Sequence, residues 1–411
     1  MIKSSFHKYI PVYSIVVFLF ACNKPADNTL FQKLDSSDTG IDFANQLTES
    51  DTFNIVDFDY IYNGSGVGIA DLNGDGLPEL FFGGNQISSR LYLNSGDFKF
   101  KDVTEKSQIS TQSWIEGVTF TDINGDGRLD IYLSVSNRNE SVNPNLLFVN
   151  QGNDENGIPL FEEKAAEYGL NAVGYFTQAA FFDFDKDGDL DCYLLANALE
   201  SFQRNISRPR ITDGSGKSND FLLRNDGEGQ FVAVTNEAGI TYEGYGLGLT
   251  ITDVNQDGWP DIYVANDFLT NDVLYINQQD GTFQNEIQER IDHQSFNAMG
   301  VDAGDINGDG WPDLVVVDMF PPDNLRQKTM FSPTENYNLY QANLSKGYEP
   351  QYVRNTLQLN RGDGTFAEIG ELAGISQTDW SWSPLYADFD MDGMQDLIIS
   401  NGYGKDITDM D

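Results

Sequence analysis

Asp253-Val254-Asn255-Gln256-Asp257-Gly258-Trp259-Pro260-Asp261 lies between two β-forming runs, Gly248-Leu249-Thr250-Ile251 before it and Ile262-Tyr263-Val264 after it. Oxygen-bearing side chains occupy positions 1, 3, 5 and 9 of this loop, and glycine occupies position 6. Five further copies keep the same grammar, at intervals of between 51 and 83 residues. They are Asp71-Asn73-Asp75-Gly76-Glu79, Asp122-Asn124-Asp126-Gly127-Asp130, Asp183-Asp185-Asp187-Gly188-Asp191, Asp305-Asn307-Asp309-Gly310-Asp313 and Asp388-Asp390-Asp392-Gly393-Asp396. One acidic loop arises by chance; six with one spacing do not. Recurrence at such periods signals a repeat architecture.

The spacing has a chemical reason. Calcium is a hard cation that takes six to eight oxygens at about 2.3–2.6 Å. Side-chain oxygens at positions 1, 3 and 5 of a tight loop converge on one point, a carbonyl at position 7 adds a ligand, and the acid at position 9 closes the cage. Glycine at position 6 permits the turn because it tolerates positive φ. With no cysteine or histidine in any loop, zinc and copper fit poorly. Magnesium, which keeps several waters, fits less well than calcium. Ordinary acidic turns also favour Asn, Asp and Gly, but they do not require an acid at position 9 in every copy. Nor is this an EF-hand: position 12 holds Phe82, Leu133, Leu194, Val264, Val316 and Ile399, where that motif needs glutamate. The expectation is up to six Ca2+ ions held by the residues at positions 1, 3, 5 and 9.

Each loop joins two strands, and two more follow. The third is seen in Leu91-Tyr92-Leu93-Asn94, Leu146-Leu147-Phe148-Val149-Asn150, Leu222-Leu223-Arg224-Asn225, Leu274-Tyr275-Ile276-Asn277 and Leu357-Gln358-Leu359-Asn360. A glycine-rich turn then leads to Phe100, Phe161, Phe231, Phe283 or Phe366. Four-stranded units repeated radially are blades of a β-propeller; linear solenoids have shorter, more regular repeats. The fold class is therefore all-β, a propeller of about six to seven four-stranded blades. Loop six is followed by one strand only, so the closing blade is expected to be incomplete. Leu30–Leu34 and Thr39–Ile41 resemble an outer strand and closing turn, available to complete it.

Composition agrees. The 411 residues carry 64 Asp plus Glu against 24 Lys plus Arg, a net charge of -40. Such a surface repels phosphate backbones, which excludes a nucleic-acid partner. At 40% hydrophobic and 13% aromatic residues, the chain is too apolar for an acidic disordered tail.

The N-terminus reads as an address. Lys3 and Lys8 precede an apolar run, Ile10–Phe20, too short to span a bilayer comfortably. It ends in Leu19-Phe20-Ala21-Cys22, which resembles a bacterial lipobox, cut before the cysteine. The plainer alternative is an ordinary secretory signal with an incidental cysteine. The expected division is a signal peptide at 1–21, lipidated Cys22, a polar tether at 22–37 and the propeller at 38–411. Cys192, in an apolar strand, reads as a small buried hydrophobe.

Taken together, the chain resembles the FG-GAP/VCBS-repeat β-propellers, best known from the integrin α-subunit head. It is similar above all to long bacterial lipoproteins of that group related to cartilage acidic protein. The resemblance covers roughly residues 30–411, and the FG-GAP signature survives only as Phe82-Gly83-Gly84. It implies calcium in the six loops and an adhesive or binding role.

Other features are weaker. Two insertions, 197–219 and 318–352, break the rhythm and are the best candidates for partner contact. The first sets Arg204, Arg208 and Arg210 close together, either as a hold for an anionic glycan or as a solvated loop. Arg361-Gly362-Asp363 spells an adhesion tripeptide but occupies an ordinary inter-strand turn of the repeat. His293 is the one histidine after the signal segment, which leaves little for a Ser-His or His-metal site. Trp114, Trp380 and Trp382 are read as buried between blades, with a sugar-stacking surface as the sharper alternative. The function expected is an exported, outer-membrane or cell-surface calcium-binding scaffold for an extracytoplasmic protein or glycan, anchored to the membrane by lipid. The rival is a calcium-dependent polysaccharide lyase or hydrolase.

Overall fold

The computed structural model describes residues 29–55, 58–136, 142–198, 207–227, 229–330 and 337–402. The signal peptide at 1–21 and Cys22 lie outside the described residues, as does Arg204. The chain divides into a short unit ending at Leu34 and a large one beginning at Asp35. In the short unit, residues 29–34 are exposed and form no strand, so the outer strand expected at Leu30–Leu34 is not made.

The large unit is a ring of antiparallel sheets. Blade 1 comprises Val67–Ala70, Glu79–Phe82, Arg90–Asn94 and Phe100–Asp102 in that order. Blade 2 comprises Ile115–Thr121, Asp130–Val135, Leu146–Asn153 and Pro159–Glu163. Blade 3 comprises Phe176–Phe182, Asp191–Ala196, Phe221–Asn225 and Phe231–Ala233. Blade 4 comprises Gly246–Thr252, Asp261–Asn266, Val273–Asn277 and Phe283–Asn285, and blade 5 Gly300–Gly304, Asp313–Val317, Thr356–Asn360 and Phe366–Glu368. Blade 6 has two long strands, Asp379–Ala387 and Asp396–Asn401, with Met319–Phe320 paired to the start of the first. Among the described residues six blade positions are thus filled, the last incompletely, as the single strand after loop six implied.

Side-chain patterning explains the layering. The second strand is flanked by neighbours on both sides and covered on both faces, so it reads as a continuous apolar run rather than an alternating one. It is buried at every residue in blades 2 to 5. Between blades the core is aliphatic and aromatic; Phe184, Tyr193 and Leu222 of blade 3 meet Leu249, Ile262, Tyr275 and Phe283 of blade 4. The innermost strands pass so close that a Cβ on Gly248 would lie 2.8 Å from the Cα of Gly300.

Closing turns connect the blades. Ala165–Tyr168 is one helical turn ended by Gly169 at φ 74°, and a Cβ on Gly169 would stand 2.7 Å from the carbonyl oxygen of Phe231 in the next blade. Ser36–Thr39, ended by Gly40 at φ 80°, repeats this contact at 2.5 Å from the Phe100 carbonyl of blade 1. The segment from Asp35 to Ile41 therefore sits where the closing turn of a preceding blade would sit, as its sequence suggested.

Residues 42–55 and 58–66 form a strap. Phe43 stacks on Phe82 of blade 1 at 5.1 Å, and Phe53 and Phe58 enclose Trp114 at 5.6 and 5.9 Å. The Tyr60 hydroxyl then donates to Asp267 of blade 4 at 2.6 Å in a buried contact. Trp114 is covered by this strap, which removes it as a sugar platform; Trp380 is also buried.

Candidate metal centres

The six loops are the hairpins between first and second strands, so they share one end of the ring. Their local bonding is nearly identical. The position 1 aspartate accepts the N–H of the position 6 glycine in each: Gly76 to Asp71 at 2.8 Å, Gly127 to Asp122 at 2.8 Å, Gly188 to Asp183 at 3.1 Å, Gly258 to Asp253 at 2.7 Å, Gly310 to Asp305 at 2.8 Å and Gly393 to Asp388 at 2.9 Å. Position 3 (Asn73, Asn124, Asp185, Asn255, Asn307, Asp390) accepts the N–H of position 5 at 2.9–3.3 Å. Position 5 (Asp75, Asp126, Asp187, Asp257, Asp309, Asp392) accepts that of position 7 at 2.8–3.0 Å. In five loops the position 1 aspartate spends both oxygens on the turn, the second accepting the N–H of position 5 at 3.0–3.2 Å, whereas Asp183 commits only one.

The position 9 acid does a different job. One oxygen accepts the N–H of position 2, as with Asp261 from Val254 at 3.0 Å and Asp313 from Ile306 at 3.0 Å. The other accepts the N–H of the asparagine ending the third strand: Asn94 to Glu79 at 3.3 Å, Asn150 to Asp130 at 2.7 Å, Asn225 to Asp191 at 2.9 Å, Asn277 to Asp261 at 2.9 Å and Asn360 to Asp313 at 2.8 Å. Among the described residues Asp396 makes only the first kind of bond, from Phe389 at 3.0 Å. The closing acid is therefore also the rivet between loop and third strand, a role the spacing alone does not reveal.

Burial raises the floor acids. It pushes Asp130 up to about 6, and Asp191 and Asp261 to about 7, against the two accepted N–H bonds that pull downward. The acids at positions 1 and 5 add to the rise in Asp130 and Asp261, and those at positions 3 and 5 in Asp191. A divalent cation at the centre would reverse that local logic.

The donor set fits a hard cation. Oxygens of Asp183, Asp185 and Asp191 lie within 4.8 Å of one another, as do those of Asp388, Asp390 and Asp392. Asp183 Oδ1 is buried and has no hydrogen-bond partner, the condition a cation would relieve. In the other four loops asparagine stands at position 3, leaving fewer negative charges around the centre.

Two recurrent features went unread in the sequence. Position 4 is left-handed in every loop, by glycine at Gly74, Gly125 and Gly308 but by Lys186, Gln256 and Met391 elsewhere, where the backbone stores strain. In blades 2, 4 and 5 the same third-strand asparagine also staples blades: Asn150 Nδ2 donates to Leu72 O, Asn277 Nδ2 to Phe184 O and Asn360 Nδ2 to Val254 O, at 2.8–2.9 Å, while Asn94 and Asn225 bond within their own blade. Each of these acceptors is the position 2 carbonyl of the preceding blade's loop. The signal was present, since all five quoted third strands end in Asn.

The remaining candidates resolve into packing. Arg208 pairs with Glu243 at 2.6 Å and Arg210 with Glu349 at 2.8 Å, so neither stands free for an anion nor merely solvates a loop. His293 Nε2 lies 2.7 Å from Arg354 and 3.4 Å from Glu368, inside an ion cluster. Gly362 of the Arg361-Gly362-Asp363 turn donates to Asn360 at 3.0 Å, as the equivalent glycine does in other blades. Cys192 is fully buried.

Comparison with known proteins points the same way. A family model described as FG-GAP-like repeat matches residues 71–133, 253–316 and 347–399. T-cell immunomodulatory protein homolog of Plasmodium yoelii yoelii is 24% identical over 56% of this chain and 38% of its own. Cartilage acidic protein 1 of Xenopus tropicalis is 26% identical over 50% of this chain and 31% of its own. Integrin alpha-6 of Homo sapiens is 27% identical over 31% of this chain and 12% of its own. The chain thus spans well under half the length of the curated relatives it matches. Over the residues that the family model matches, the repeats are FG-GAP-like, and the loop geometry and blade order are those of a β-propeller.

Proposed function

We propose that this propeller is exported and lipid-anchored through Cys22, binds up to six calcium ions, and serves outside the cytoplasm as a rigid scaffold for a protein or glycan. The observation that carries the calcium reading is the buried, unpartnered Asp183 Oδ1 on a carboxylate that clusters with those of Asp185 and Asp191. The charge of -40 favours it, because crowded carboxylates repel unless an ion offsets them. The names of the relatives, an integrin, immunomodulatory proteins and a cartilage protein, favour a scaffold over a polysaccharide lyase or hydrolase.

Thermal melting in calcium, in magnesium and in a chelator tests the ions. Saturating calcium raises the midpoint by ~10 °C or more over the chelated chain, because several sites add their linkage terms. A midpoint indifferent to chelation overturns the calcium role. Incubation with a panel of acidic and neutral polysaccharides separates the two functional readings: the scaffold binds saturably and releases no products, whereas the enzyme releases fragments. Mass spectrometry of the mature N-terminus finds an acylated Cys22; an unmodified start elsewhere removes the anchor.

A further inference from the structure

The described parts of the insertion, 318–330 and 337–352, lie between the second and third strands of blade 5, at the end of the ring opposite the acid loops. They build a cavity of about 340 Å3 between the helix Tyr337–Leu344 and the segment around Gln351–Tyr352. That segment is pinned: Gln351–Tyr352 pairs in parallel with Gln294–Ser295, and Lys346 donates to the carbonyl of Ser207 in the other insertion. The walls are aromatic. Tyr340 and Tyr352 stack with centroids 6.0 Å apart, and Tyr337 is 75% exposed at the mouth.

The polar groups lining the cavity are mostly committed elsewhere. Glu349 is held by Arg210 at 2.8 Å and by Gln294 at 2.6 Å. Gln351 donates to the Thr270 carbonyl at 3.1 Å. Asn343 differs: the residue is 6% exposed, and its Oδ1 has no hydrogen-bond partner. An unpaired buried acceptor is expensive to keep, and a ligand that brings a donor relieves it. Such a ligand must combine apolar faces for the tyrosine rings with a peripheral O–H or N–H donor. It must also be uncharged or nearly so, since the surrounding field repels anions.

We propose that this cavity receives a terminal sugar unit of a neutral glycan, its C–H faces against Tyr337, Tyr340 and Tyr352 and a ring hydroxyl donating to Asn343 Oδ1. The proposal rests on the scaffold reading above and gives it a place and a ligand class.

The test is isothermal titration of the full chain with neutral hexasaccharides of glucose, mannose and galactose, with hexagalacturonate as the charged comparison. At least one neutral sugar binds, and Tyr337→Ala and Asn343→Leu each weaken it by about tenfold. Asn343→Leu melts no lower than the unaltered chain, because it removes an unpartnered acceptor. Should that variant fail to fold, Tyr337→Ala at an exposed position still decides. Binding that both variants leave untouched overturns the site, as does binding of hexagalacturonate alone or of none of the sugars. Capture of a displayed peptide in a Tyr337-dependent way overturns the sugar and makes the cavity a protein contact. Loss of the cavity claim leaves the scaffold standing if the intact chain still binds a polysaccharide of the earlier panel at another surface. Loss of the scaffold shows instead as product release in that panel.

Discussion

Blades 4 and 6 carry the same loop on different supports. In blade 4, Asp261 is fully buried and bonded on both oxygens, and its strand is covered from Asp261 to Asn266. In blade 6, Asp396 is half-buried and bonded on one, and the strand Asp396–Asn401 presents Ile398 and Ser400 to solvent. The loops have the same turn bonds, so the turn is a local property of Asp-x-Asx-x-Asp-Gly. The buried floor is not: it comes from the third strand, which blade 6 lacks among the described residues. A loop of this grammar folds itself but is only finished by its neighbour.

Removing the floor acid should expose that contrast most. Asp261→Ala strips partners from two buried N–H groups and is expected to cost about 3–5 kcal/mol in urea unfolding, against about 1 kcal/mol or less for Asp396→Ala. Equal losses would mean that the third strand is irrelevant to the loop. A smaller effect is expected of the staple: Asn277→Ala leaves the Phe184 and Pro260 carbonyls unpaired and should cost about 2–3 kcal/mol. Hydrogen exchange would register that loss in loop three as well as in blade 4; a change confined to blade 4 would deny coupling between blades.

The smallest effect concerns the opposite end of the ring. There the residue that opens the third strand ties back to the second. Blades 2 and 5 use amides, Asn145 and Asn355, which accept from Val135 and Asp318. Blades 3 and 4 use acids, Asp220 and Asp272, which accept from Ala196 and Asn266 and from the hydroxyls of Tyr193 and Tyr263. Burial pushes both acids up to about 7. An acid raised above its unfolded value binds more protons when folded, so it lowers stability as pH climbs from about 4 to about 7. Asp220→Asn and Asp272→Asn imitate blades 2 and 5 and should each flatten that decline by about 1–2 kcal/mol. Unchanged slopes would show that these acids are already ionised in the folded chain.

What could be read in advance follows from locality. Six loops, four strands per blade and an unfinished last blade all leave traces within a few residues: Asx at alternate positions, glycine at position 6, apolar runs on either side. The closing turn at Asp35–Ile41 was readable because Gly40 repeats Gly169. The double duty of Glu79, Asp130, Asp191, Asp261 and Asp313 was not readable, because their second partner stands on another strand at a variable distance. The arginines failed for the same reason: Glu243 and Glu349, which neutralise Arg208 and Arg210, are far away in sequence. The cavity beside Tyr337 and Tyr352 escaped notice because an insertion has no repeat to compare it with.

The buried bond from Tyr60 to Asp267 has a consequence for synthesis. A ribosome that has just made Tyr60 must extend the chain by 207 residues before the strap finds its anchor. Until then Tyr60 has neither its bond nor the Phe268 ring it stacks on at 6.2 Å, so early blades emerge with an unsecured apolar segment. Contacts that join residues so distant in sequence slow the search for the native state, and a nascent chain in that condition is open to self-association or to capture by a chaperone. Export in an unfolded form would sidestep the hazard, for the whole ring is then delivered at once and the strap can close in a single event.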